Sequence, residues 1–185
     1  MKVIDSAFVS AFLTQPQIVK GLRLLPFSLA HALYLQMFDC SFMTGGTLHE
    51  KDFAQFFLVC GHTYEEIRAM LATYGATTEE MLKINETLSV FDEKELCNII
   101  KLHIDNFLKN PLKRIEQDQK KKFRLPVPLF YAAFLMSEMN MTETQAWNCP
   151  WSLASSYYAA WESLNGESNL LDEETLKQQQ ERFHL

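Results

Sequence analysis

The sequence predicts an all-α protein, roughly seven or eight helices in an irregular bundle with a C-terminal helical hairpin. Three observations predict it. Capping signals recur along the chain, with an oxygen-bearing side chain three residues before Glu or Gln. Apolar residues follow these signals at intervals of three and four. No segment combines strict period-two alternation with a hairpin turn.

The elements follow in order. Pro26 and Ser28 introduce a first helix in which Leu29, Ala32, Leu33 and Met37 share a face. "SFMTGG" from Ser41 to Gly46 reads as a turn, since it lacks the lysine and the spacing of a phosphate loop. "TLHE" at Thr47–Glu50 is a capping box ahead of Phe53, Phe56, Phe57 and Cys60. Gly61 is the expected left-handed stop, with His62 exposed beyond it. "TYEE" at Thr63–Glu66 starts a helix carrying Ile67, Met70, Leu71 and Tyr74, and Gly75 stops it. "TTEE" at Thr77–Glu80 precedes Met81, Ile84, Leu88 and Phe91. "DEKE" at Asp92–Glu95 precedes Leu96, Ile99, Ile100, His103 and Phe107, with Pro111 beyond the end. "TETQ" at Thr142–Gln145 opens another helix, and a last one runs from Pro150 to a stop at Gly166.

The organisation predicted is an N-terminal bundle over 1–110, a basic and proline-punctuated linker over 111–128, and a C-terminal helical piece over 129–185 packed on the first. Residues 172–185 carry few apolar side chains and read as a solvated or frayed tail.

Composition narrows the function classes. Of the 185 residues, 48% are hydrophobic and 22% charged, enough apolar content for a buried core. The net charge of -6 opposes general binding to nucleic acid or to an anionic membrane. The basic run Lys113, Arg114, Lys120, Lys121, Lys122 and Arg124 is diluted by Glu116 and Asp118, which favours a solvated linker over a phosphate-binding face. "VPLFYAAFLM" has the length of a buried helix and is too short to span a bilayer. Cys40, Cys60, Cys97 and Cys149 form no paired spacing, and the N-terminus lacks the apolar block of a signal peptide. A reducing cytoplasmic setting with free thiols is the expectation.

No catalytic constellation is visible. "CGH" at Cys60–His62 comes nearest to a metal site but lacks a second paired half. "HEKD" at His49–Asp52 reads as acidic residues complementing a helix dipole. His103 lies in an apolar stripe and reads as a buried structural histidine. Neither a catalytic metal nor a nucleotide cofactor is expected.

Trp147, Trp151 and Trp161 are all the tryptophans of the chain, and they fall within "AWNCPWSLASSYYAAWESLNG". In the last helix, Leu153, Tyr157, Ala160, Trp161 and Leu164 form one stripe, and Trp151, Ala154 and Tyr158 a second beside it. The first stripe is predicted to face the core. The second, less buried, is predicted to receive a protein partner together with Trp147, because Trp and Tyr concentrate at interfaces. The alternative is that both stripes are core.

The segment "MSEMNMTETQAWNCPWSLASSYYAAWESLNG" resembles the C-terminal region of small tail-assembly-chaperone-like proteins of tailed phages and prophages. There, a short Thr- or Ser-started helix leads to W-x-x-P and then to a longer helix. "LLPFSLAHALYLQMF" followed by "MTGG" resembles the opening of a prophage family with a "PFSL-x-H" helix. The two segments cover about a third of the chain. The resemblance implies a non-enzymatic protein of the bacterial host cytoplasm that binds the helical tape-measure protein until the tail tube forms. A structural neck or tail component of the virion is the alternative, and a helical enzyme with an unrecognised site is the second alternative.

Overall fold

The computed structural model describes residues 15–108 and 126–166. The basic run 113–124 and the tail 172–185 lie outside the described residues. Among the described residues the fold is mostly helical, as the sequence predicts, with nine helices and one short two-stranded sheet.

The sheet is the element the sequence pattern does not announce. Strands β1 (Gln17–Val19) and β2 (Leu22–Leu24) pair antiparallel, with Ile18 opposite Arg23. Lys20 and Gly21 connect them at φ 55° and 81°. Two successive positive φ values suit a two-residue hairpin turn, whose twist matches the strands. Ile18 is exposed, so the hairpin shows no clean inside and outside.

The helices are α1 (Leu29–Met37), α2 (Ser41–Thr44), α3 (Glu50–Cys60), α4 (Tyr64–Ala72), α5 (Ala76–Leu88), α6 (Glu93–Phe107), α7 (Val127–Ser137), α8 (Glu143–Asn148) and α9 (Trp151–Leu164). Two predicted capping boxes form as written. Thr63 accepts from the Glu66 N–H while the Thr63 N–H donates to Glu66, and Thr142 and Gln145 do the same. The others differ. The box expected at Thr47 lies two residues on, where the His49 N–H donates to the Asp52 carboxylate at 2.8 Å. Thr77 lies inside α5, which Gly75 enters at φ 81°. Asp92 precedes α6 without a side-chain cap bond. "SFMTGG" is not wholly a turn, because Ser41–Thr44 makes one helical turn before the two glycines.

Gly61 is right-handed, at φ -81°, not the left-handed stop expected. Close approach explains it: a Cβ there would lie 3.1 Å from the Arg23 carbonyl and 2.7 Å from that of Phe57. Beside it, the Leu25 N–H donates to the Cys60 carbonyl at 2.7 Å. The hairpin end is thereby tied to the C-terminus of α3.

One core joins the N-terminal and C-terminal helices. Helix α1 packs on α2, α3, α7 and α8, α3 on α5, and α7 on both α8 and α9. Phe27, Leu29, Leu35, Phe56, Ile100 and Leu135 are among its fully buried members. Val127 and Pro128, assigned to a linker by sequence, belong to α7, whose proline sits in the first turn where a missing N–H costs least. A backbone clamp closes the junction: the Leu29 N–H donates to the Cys149 carbonyl at 3.1 Å, and the Trp151 N–H to that of Phe27 at 2.9 Å. Among the described residues no helix is long and apolar enough to cross a membrane.

Candidate partner-binding surface

Helix α7 is nearly all apolar, and helical geometry divides its side chains. Pro128, Ala132 and Leu135 enter the core. Phe130 and Phe134 stand four residues apart and meet α9.

Helix α9 buries a different face from the one its apolar spacing predicts. Ser152, Ser155, Ser156 and Ala159, at i, i+3, i+4 and i+7, form one buried stripe, and Ala154 is buried separately on the Trp151 and Tyr158 side of the helix. The buried hydroxyls of Ser155 and Ser156 donate to the Ser152 carbonyl at 3.0 and 2.7 Å. Local back-bonding of this kind satisfies Ser155 and Ser156, whereas the buried Ser152 hydroxyl has no hydrogen-bond partner among the described residues. At about 100° per residue, the stripe of Leu153, Tyr157, Ala160 and Leu164 lies well over a quarter-turn away from the serine face. Ala160 is accordingly exposed, Leu164 is 88% exposed, and Trp161 is only half-buried. The expectation that Leu164 faces the core is therefore corrected, while Trp161 packs against the core's edge and is only partly buried.

The other predicted residues separate. Trp151 and Tyr158 are half-buried and join the α7 aromatics. Ala154 is 0% exposed and offers no surface. Trp147, 7% exposed, stacks on Tyr64 at 5.8 Å. It ties α8 to α4 with help from polar neighbours. The Tyr64 N–H donates to the Asn148 side chain at 2.8 Å, and the Tyr64 hydroxyl to Glu143 at 2.7 Å. Trp147 and Ala154 therefore leave the partner-facing set, because both are committed to packing within the chain.

What remains is an aromatic shelf between α7 and α9. Phe134 meets Tyr158 at 5.2 Å and Trp161 at 5.6 Å, both edge to face. Tyr158 stacks with Trp161 at 6.1 Å, and Phe130 meets Tyr158 at 5.1 Å. Such pairs contribute about 0.5–1.5 kcal/mol each beyond their buried area. Phe130, Ala133, Phe134, Ser137, Glu138, Tyr158 and Trp161 line an open trench of about 320 Å³ there. Its floor is apolar, and Glu138 supplies a carboxylate at its edge. Phe130 and Phe134 are missed when the tryptophan segment is read alone; their i, i+4 spacing is the signal that points to them.

The candidate chemical residues are placed as follows. Cys60 is buried, and burial pushes its thiol well above the usual range. His62 donates from Nδ1 to the Leu58 carbonyl at 2.7 Å, so "CGH" closes a helix end. Among the described residues no three His, Cys, Asp or Glu side chains are grouped to hold a metal. In "HEKD", Asp52 is fully buried. Burial alone would raise its pKa, but the His49 and Ser41 N–H groups outweigh that and hold it low. His103 is 3% exposed among Phe27, Phe56 and Phe107. Burial lowers its pKa to about 4, and the Leu25 carbonyl opposes the shift without reaching hydrogen-bond geometry. No family model, curated protein or solved structure matches the chain.

Proposed function

We propose that this chain is a non-enzymatic helix-binding protein, a tail-assembly chaperone of a tailed phage or prophage. Its client is the tape-measure protein in the bacterial cytoplasm, and the α7–α9 shelf is where the client helix lies. The observation that carries the reading is the open, mainly apolar depression of about 320 Å³ lined by Phe134, Tyr158 and Trp161. An amphipathic helix buries its apolar stripe in such a groove. Half-buried Phe130, Tyr158 and Trp161 serve as anchors around the buried Phe134 at low entropic cost, since each has only two side-chain torsions. The likeness of the segment from Met136 to Gly166 to tail-assembly chaperones supports the choice of client.

Mass spectrometry of purified virions tests the role. A chaperone is released before the tail is complete and is absent from virions. Stoichiometric presence in the tail or neck would establish a structural component instead.

A further inference from the structure

We propose that Leu170 and Leu171 fold back past the end of α9 and seat in the α7–α9 trench, where they guard the site until a client helix displaces them. The inference rests on the trench being the client site and adds an intrachain competitor to it. The segment that supplies the pair lies beyond the described residues, which end at Gly166.

The exit of the chain from α9 is aimed at the trench. Tyr158, Trp161 and Asn165 stand at i, i+3 and i+7, so they share one face of the helix. Tyr158 and Trp161 line the trench on that face. The Asn165 N–H and its side-chain amide both donate to the Trp161 carbonyl, at 3.1 and 2.9 Å. Gly166 follows at φ 75°, and a left-handed residue there turns the chain out of the helix. Ser137 ends α7, Glu138 follows it, and both line the trench, which therefore reaches the C-terminal ends of both helices.

Reach and volume fit the pair. Gly166 stands about 7.5 Å along the helix from Trp161 and about 12 Å from Tyr158. Leu170 is four residues further on, and four extended residues span about 13 Å. A leucine-sized hole in a protein core is on the order of 150 Å³, so a trench of about 320 Å³ has room for two. Leu170 and Leu171 are the one adjacent apolar pair in the sequence from 167 to 185. Charge limits the seated segment to them. Asp172, Glu173 and Glu174 follow directly, and the Glu138 carboxylate at the trench edge repels them.

The test compares the full chain with its Leu170→Asp/Leu171→Asp variant by amide and indole NMR shifts, with no client present. The shifts of Ala133, Ser137 and the Trp161 indole should differ between the two, and an intrachain contact should keep them unchanged on about tenfold dilution. The neutral apolar dye Nile red then reports access to the trench. The variant should bind it about tenfold more tightly, the gain expected when a site filled about nine-tenths of the time is freed. Adding Ala133→Arg to the variant should abolish that gain, which places the dye in the trench. Should the double change disturb helicity, Leu170→Asp alone serves, with a smaller gain expected. Unchanged shifts, unchanged dye binding or a gain that survives Ala133→Arg would overturn the proposal. So would shifts that vanish on dilution, since a second copy would then supply the pair. No client enters these measurements, so a chain that fails to keep a tape-measure protein soluble contradicts the client reading and leaves the seating of the pair standing.

Discussion

The His31 ring bridges two chain segments: its Nδ1 accepts the Ser28 N–H at 3.1 Å, and its Nε2 lies 2.9 Å from the His62 carbonyl. A backbone N–H can only donate and a carbonyl can only accept, so the ring is neutral with its proton on Nε2. The Ser28 hydroxyl returns a bond to the His31 N–H at 3.3 Å, completing the cap of α1. Protonating Nδ1 would set it against the Ser28 N–H.

Acid therefore destabilises the fold through histidine. Burial, the larger cause, lowers the pKa of both His31 and His103 from 6.5 to about 4. The unfolded chain binds protons first, so stability contributed by the neutral rings is complete above about pH 6.5 and is lost as pH falls towards 4. Acidification from neutral pH towards 4 should cost roughly 3 kcal/mol per ring, because protonation is penalised in the folded state. Denaturant midpoints across pH 7.5 to about 4 check this. His103→Phe should flatten much of the slope, and an unchanged slope would contradict the assignment.

Asp52 predicts a separate, more acidic step. Its pKa is held below the ordinary value of 3.8, so its contribution is present above that value and lost as pH falls through the lower folded one. Asp52→Ala strands the His49 and Ser41 N–H groups. A loss of about 1.5–3 kcal/mol at neutral pH is expected in chemical denaturation.

Gly61→Ala tests the close backbone packing at the C-terminus of α3, where the hairpin approaches. The added methyl would meet the Phe57 carbonyl at 2.7 Å and the Arg23 carbonyl at 3.1 Å, and backbone cannot swing aside as a side chain can. A loss of about 1–3 kcal/mol is expected. A thermal scan showing no change would mean that the backbone does not pack closely there.

The capping boxes at Thr63 and Thr142 were legible because the cap and its return bond are both local in sequence. The box at Ser28 was half-hidden, since its fourth residue is His31 rather than Glu or Gln. The Lys20–Gly21 hairpin was illegible for another reason: strands of three residues with exposed Ile18 leave too few positions for alternation to register. On α9 the pattern misled. Hydropathy places Trp161 and Leu164 inside, but close packing there is served by small side chains, and serine hydroxyls bond their own helix. Of the shelf's aromatics only Tyr158 was readable as partner-facing; Trp151 pairs with Tyr131 outside the trench lining, and Trp161 was placed in the core. The rest needed the pairing of α7 with α9, a tertiary fact.

Trp147 and Trp161 should behave differently when truncated. Trp147→Ala removes a nearly buried ring stacked on Tyr64 and should cost about 3–5 kcal/mol. Trp161 is half-buried, so Trp161→Ala should cost less in thermal unfolding. Equal losses would mean that both rings are core.

The central claim, that the α7–α9 shelf receives the client helix, is tested most directly at Ala133. This residue is exposed and lines the trench, so Ala133→Arg adds bulk and charge without removing a core contact. The measurement is co-expression with a tape-measure protein as the proposed client, followed by the fraction of client recovered soluble and co-purified. The account predicts that the wild-type chain keeps the client soluble, and that Ala133→Arg, with unchanged melting temperature, loses most of that recovery. Full recovery with a folded Ala133→Arg would contradict the shelf as the client site, and no recovery with the wild-type chain would contradict the chaperone function itself.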